Sequence, residues 1–340
     1  MSTPWSLVGN EWAVELLRRQ VAQEAARHAY LFAGPPGIGR RTLALRFAQA
    51  LNCLQPVAPG EPCGRCRNCV QIARQQHPDL LITQAEAEGR TLKVDQIRET
   101  RRTLVMKPYQ ARFRVALFPR FQETSDGASN ALLKTLEEAP SYAVLILTAD
   151  DPEQLLPTIV SRCEVLRLRP ASLDQVEAFV AERIAAAQAA HKVLPGAAAG
   201  AALIAHLSGG RPGYAARLLE DDSLLAQRAE WLADLQAVLS GSRVERFAYA
   251  GKFRDDRDGL RRLLLTWLSF WRDVLLRAGG AQTPPANLDR ARDIEALAQR
   301  LPLAQVRRLV TGLEQALDRL EANVNTRLLA EVLLLDLPRA

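Results

Sequence analysis

Lysine is scarce in this 340-residue chain: five stand against 39 arginines, and the first is Lys93. The base composition of a genome is enough to explain such a skew, but at one place it excludes a chemistry. The stretch Leu31-Phe-Ala-Gly-Pro-Pro-Gly-Ile-Gly-Arg-Arg-Thr-Leu-Ala44 outlines a phosphate-binding loop, with an apolar strand end, a glycine-rich turn and a helix start. Such a loop aims backbone N–H groups and a helix N-terminus at phosphate oxygens. Gly34, Gly37 and Gly39 permit the dihedrals and the close approach that this needs. The complete motif also places Lys after the last glycine for the outer phosphates, then Ser or Thr for magnesium. Arg40 and Arg41 hold those two positions, Thr42 stands one residue too late, and no lysine lies nearby to substitute. A guanidinium is bulkier than an ammonium point charge and coordinates no cation. The loop Gly34, Gly37, Gly39, Arg40, Arg41 is therefore degenerate, and no cofactor is expected to bind through it.

Other absences bound the chain further. No apolar run approaches the roughly 18 residues that span a bilayer, so no membrane association is expected. The opening Met-Ser-Thr-Pro-Trp-Ser has no basic region followed by an apolar one, so no signal peptide is expected and the location reads as cytoplasmic. Aromatic residues make up 6% and are not interleaved with a basic cluster, which argues against a stacking platform for single-stranded nucleic acid and against a zinc-containing DNA-binding adaptor. The net charge of +6 is compatible with nucleic acid nearby without demanding it.

The length predicts two or three domains. Short apolar strands are expected at Tyr30–Ala33, His77–Thr83, Arg114–Phe118, Ala143–Thr148 and Val165–Leu168. Helices are expected between them, at 10–28, 41–52, 94–106 and 125–139, with 152–163 mostly helical. Strands that are almost wholly apolar and alternate with helices predict a parallel five-stranded sheet covered on both faces. After Pro170 the strand signals stop. Ser172 starts a capped helix, Gly209-Gly-Arg-Pro-Gly213 is a break, and from about Ser223 onward the pattern is one of amphipathic helices.

Cys53, Cys63, Cys66 and Cys69 form C-x9-C-x2-C-x2-C, four thiols within seventeen residues. In a cytosolic chain this pattern points to tetrahedral Zn2+ rather than disulfides, and four sulfurs leave no open position, so the site reads as structural. Cys163 stands apart and reads as buried or interfacial. At the end of the third strand, where a phosphate-loop ATPase carries its acidic pair, stand Pro119 and Arg120. Glu123 and Asp126 follow later and read as solvated or helix-capping. The loss of the acidic pair, added to the loss of the phosphate lysine, argues against ATP hydrolysis by this chain.

Asn130-Ala-Leu-Leu-Lys-Thr-Leu-Glu-Glu-Ala-Pro140 followed by Leu155-Leu-Pro-Thr-Ile-Val-Ser-Arg-Cys163 resembles the clamp-loader branch of the AAA+ superfamily. Cys63-Gly-Arg-Cys-Arg-Asn-Cys69, His77-Pro-Asp79, Leu92-Lys-Val-Asp-Gln-Ile-Arg98 and Asn323-Val-Asn-Thr-Arg-Leu-Leu329 match it as well, in the family's order. The resemblance implies an AAA+ α/β domain over 1–169 with a zinc insertion at 53–69. It also implies a helical lid domain over 170–222 and an all-helical oligomerisation collar over 223–340, in one subunit of a five-membered ring. It further implies that Arg162 of Ser-Arg-Cys is an arginine finger acting in trans, so that ATP is met only at the interface with a neighbouring subunit. Thr148 matches a nucleotide-sensing position. Arg211, after Gly209-Gly210, falls outside the register of the family's sensor arginine. Implied partners are the loader's gamma/tau and delta subunits and, through the assembled complex, the sliding clamp and primer–template DNA. The alternative is an active AAA+ ATPase of a clamp or helicase loader. Glu137 and Glu138 read as a solvated face.

Overall fold

The computed structural model describes residues 5–85, 91–254, 256–322 and 324–338. Met1–Pro4 of the N-terminal reading and Asn323 of the last motif lie outside the described residues. Contacts divide the chain into two compact units, Met1–Phe179 with Gly210–Tyr214, and Val180–Gly209 with Ala215–Ala340.

The first unit is built on strands β1 (Ala29–Ala33), β2 (Leu80–Ile82), β3 (Arg114–Phe118), β4 (Ala143–Ala149) and β5 (Glu164–Arg167). All pair in parallel, in the order β2-β3-β4-β1-β5. Leu31 stands opposite Leu147 on one side and Val165 on the other. The inner strands β1, β3 and β4 are buried along their whole length, which is why their sequences show no alternation. The edge strands β2 and β5 are partly open.

Helices α1 (Glu11–Ala22), α2 (Arg40–Asn52), α3 (Arg67–Ala73), α4 (Val94–Leu104), α5 (Asp126–Glu137) and α6 (Pro157–Val160) complete this unit. Successive residues of each strand feed opposite faces. Tyr30 and Phe32 pack with Leu17 of α1 and with Leu43 and Phe47 of α2, whereas Leu31 joins Ile97 of α4 and Leu132 and Leu136 of α5. The period-two alternation thus builds two cores from one sheet.

Three boundaries differ from the sequence reading for identifiable reasons. α1 stops at Ala22 rather than near residue 28 because Gln23 closes it and Glu24 turns to φ 56°. β2 is confined to three residues because His77–Asp79 forms a hydrogen-bonded turn, in which His77 Nδ1 accepts from the Asp79 N–H at 3.0 Å. Between 152 and 163 the chain makes one 3-10 turn and the short α6, because the residue before Pro157 is driven extended.

The chain continues through α7 (Leu173–Ala189), α8 (Ala201–Ser208), α9 (Pro212–Glu220), α10 (Ser223–Ser240), α11 (Arg243–Ala250), α12 (Arg257–Ala278), α13 (Ala291–Arg300), α14 (Leu303–Glu321) and α15 (Thr326–Asp336). The core of the second unit gathers around α12, whose Trp267 and Trp271 are fully buried among Leu235 of α10, Val306 and Leu313 of α14 and Leu334 of α15. Among the described residues no helix is long and apolar enough to cross a membrane.

Candidate functional site

In a parallel sheet, ligand chemistry gathers beyond the carboxyl ends of the strands. The loop after β1 is there, with Gly34 at φ 149°, Gly37 at φ 82° and Gly39 at φ 110°, and the Gly34 N–H donates to the Ala149 carbonyl at the end of β4. The side chains at the start of α2 depart from a phosphate cradle. Arg40, where the lysine would stand, is buried, and its Nη2 lies 2.6 Å from Asp150 Oδ1, just past β4. Arg41 donates to Gln75 Oε1 at 2.5 Å and to Gln84 Oε1 at 3.2 Å. Burial, and then the charge of Arg120, hold the Arg41 guanidinium below its usual pKa. The loop tip is met by Gly213, whose N–H donates to the Gly37 carbonyl at 2.8 Å, and Arg211 lies over the Tyr214 ring at 4.7 Å.

Past β3, Arg120 adopts φ 48°, and its N–H donates to Thr148 Oγ1 at 3.1 Å. The Thr148 hydroxyl is thus engaged by backbone. Glu123 is not solvated: it is largely buried and its carboxylate lies 3.0 Å from Arg120 Nε. Asp126 opens α5, but the cap is Ser125, whose Oγ accepts from the Ala128 N–H.

The four cysteine sulfurs Cys53, Cys63, Cys66 and Cys69 all lie within 4.8 Å of one another. Sulfurs about 2.3 Å from a tetrahedral Zn2+ stand about 3.8 Å apart, so the donor set fits such an ion. The backbone N–H of Cys63 points at Cys53 Sγ and that of Cys66 at Cys63 Sγ. Gly64, at φ 69°, lets the chain turn back between the two thiols. The module is bolted to the sheet by amides: Gln49 donates to the Cys69 carbonyl, Asn68 to the Asn52 carbonyl, and Asn52 exchanges two hydrogen bonds with the Phe113 backbone. The residues of 53–69 can therefore hold a metal ion. Cys163 is not part of the cluster, and burial pushes its thiol up to about 12.

Arg162 follows α6 on the surface. Its Nη1 donates to the Thr158 carbonyl at 2.8 Å and its Nη2 to the Glu137 carboxylate at the end of α5. The structure thus gathers the glycine-rich loop, Arg120 and Thr148 at the carboxyl edge, with the cysteine cluster and Arg162 as separate sites.

Two polar anchors go beyond the sequence reading, which has Asp79 only within His77-Pro-Asp79 and does not single out Arg246. Asp79 of His-Pro-Asp is buried and accepts from the N–H groups of Tyr109, Gln110 and Ala111 and from Arg114 Nη2. Burial works to raise its carboxyl, but those donors outweigh it and hold it below the usual carboxylate range. Arg246 of α11 is buried and donates to the carbonyls of Leu239, Leu334, Leu337 and Pro338.

Residues 9–172 match the protein family described as DNA polymerase III, delta subunit, and residues 222–338 match the family described as DNA polymerase III, delta subunit, C terminal. The chain is 40% identical over 136 residues to DNA polymerase III subunit delta' of Pseudomonas aeruginosa, covering 40% of this chain and 41% of that one. It is 32% identical over 164 residues to subunit delta' of Bacillus subtilis, covering 48% and 49%. It is also 37% identical over 175 residues to DNA polymerase III subunit tau/gamma of Haemophilus influenzae, covering 52% and 25%. The chain thus spans between a quarter and a half of the length of these relatives. Its two matched regions, one carrying the parallel sheet with its cysteine module and the other the C-terminal helices, establish that it belongs to the DNA polymerase III delta-subunit family.

Proposed function

We propose that the chain is a non-hydrolysing, delta prime-type subunit of the DNA polymerase III clamp loader, acting in the cytoplasm. It supplies Arg162 in trans to ATP on a neighbouring subunit, so that the sliding clamp is loaded on primed DNA during replication. Its partners are the gamma/tau and delta subunits, with clamp and primer–template DNA met through the complex. In this reading 1–169 is the AAA+ domain, with one structural Zn2+ on Cys53, Cys63, Cys66 and Cys69, 170–222 is the lid, and 223–340 is the collar.

The ion pair between Arg40 and Asp150 carries the proposal. It turns the side chain at the phosphate-lysine position toward a carboxylate of the same chain rather than toward a polyphosphate, while Arg41 is directed to Gln75 and Gln84. Arg162, by contrast, stands at the surface, 36% exposed, where a guanidinium meets a partner. Charge developing on a transferring phosphoryl group is offset by such a fork without any proton transfer.

The second reading, an active ATPase of a clamp or helicase loader, has the tau/gamma relative in its favour. Arg40, Arg41, Pro119 and Arg120 stand against it. Reconstituted complexes decide between the two. Arg162→Ala should fold and assemble, yet slow ATP hydrolysis and clamp loading. A finger in trans is worth about 10³–10⁵ in rate at its own site, less in a loader with several sites. Arg162→Lys should restore little, since an ammonium lacks the planar fork, and Arg41→Ala should cost little. Wild-type rates for Arg162→Ala combined with an inactive Arg41→Ala would favour the second reading.

A further inference from the structure

Arg162 is gripped from two sides. Its Nη1 donates to the Thr158 carbonyl one turn back in its own segment, and its Nη2 to the Glu137 carboxylate on α5. These contacts use one N–H of each Nη, leaving a second N–H on each and the Nε–H to face an incoming anion. The adjacent Glu138 has a different partner, Lys134 Nζ at 4.0 Å, so the two carboxylates of Leu136-Glu-Glu138 do different things. Both members of the Arg162–Glu137 pair are substantially exposed, at 36% and 49%. An ion pair of that exposure adds little to stability. Its effect is on orientation, because a free arginine samples many rotamers and loses that freedom on binding.

We infer that Glu137 is a positioning residue for Arg162: with the Thr158 carbonyl, its carboxylate holds the guanidinium fork in one orientation before a neighbouring polyphosphate arrives. This rests on the trans role proposed for Arg162. A finger already oriented presents its remaining donors without an ordering step at the moment of reaction.

The test uses the reconstituted complex with Glu137→Ala, Glu137→Gln and Glu138→Ala, each with and without Arg162→Ala. Glu137→Ala should lower kcat for ATP by about 3- to 10-fold with KM unchanged, the pattern of an interaction that matters in the transition state. Its thermal midpoint should match wild type. Glu137→Gln, whose amide oxygen still accepts from Nη2, should keep most of the rate, and Glu138→Ala all of it. On the Arg162→Ala background Glu137→Ala should have no further effect. A rate for Glu137→Ala equal to or above wild type, or a loss that adds to that of Arg162→Ala, would overturn the positioning role while leaving the finger intact. An unaltered rate for Arg162→Ala alone would overturn both.

Discussion

Asp79 shows how much one side chain organises when its partners are mostly backbone. Its two oxygens receive three consecutive N–H groups of the 109–111 turn and one arm of Arg114, whose other arm donates to the Thr103 carbonyl. β2, β3 and the end of α4 are tied together at that point. Asp79→Ala leaves a buried guanidinium unpaired, a change that costs about 3–5 kcal/mol, measurable by urea unfolding. The depressed carboxyl also sets a pH dependence. The contribution is fully present above the unfolded value of about 3.9 and is lost as pH falls through the lower folded value. Unfolding midpoints of the wild type should therefore drop on acidification below pH ~4, and Asp79→Asn should show a shallower drop. Equal acid slopes for the two proteins would remove Asp79 from this role.

Among the elements, the strands are the most legible in the sequence. β3 and β4 read directly from Arg114-Val-Ala-Leu-Phe118 and Ala143-Val-Leu-Ile-Leu-Thr148, because a strand buried on both faces writes an unbroken apolar run. β2 reads too long because the turn before it is closed by the His77 side chain and carbonyl, which periodicity does not register. The cysteine module is legible from spacing alone. It should carry one zinc per chain when purified without added metal. Replacing Cys63 and Cys66 by Ser should abolish the metal and lower the thermal midpoint, since binding energy at such a site is folding energy. A ratio near zero for the wild type would leave the cluster without a role. Arg246 is illegible because its acceptors are carbonyls as far as 92 residues away. They lie at the carboxyl ends of α10 and α15, where a cation meets the negative pole of a helix. Arg246→Ala strips those carbonyls of their donor inside a core, and a loss of about 2–4 kcal/mol in chemical unfolding is expected.

For the whole chain, the losses at the loop and at β3 act together. At one the lysine position holds Arg40, paired to Asp150, and at the other Pro119 and Arg120 stand where acids would place magnesium and water. The isolated chain should show no magnesium-dependent ATP turnover. A rate that survives further purification and disappears on mutating Gly39 would contradict this. Weak nucleotide binding without turnover would not. Packing pins the loop itself. A methyl group on Gly34 would sit 2.9 Å from the Leu168 carbonyl oxygen and one on Gly37 2.9 Å from the Tyr214 nitrogen, while one on Gly213 would meet the Gly37 carbonyl oxygen at 2.9 Å. Backbone stands on the far side of each of these contacts, so no side chain can step aside. The glycines of this loop are thus required by their neighbours whether or not a phosphate is met, so that its shape belongs to the scaffold rather than to any ligand.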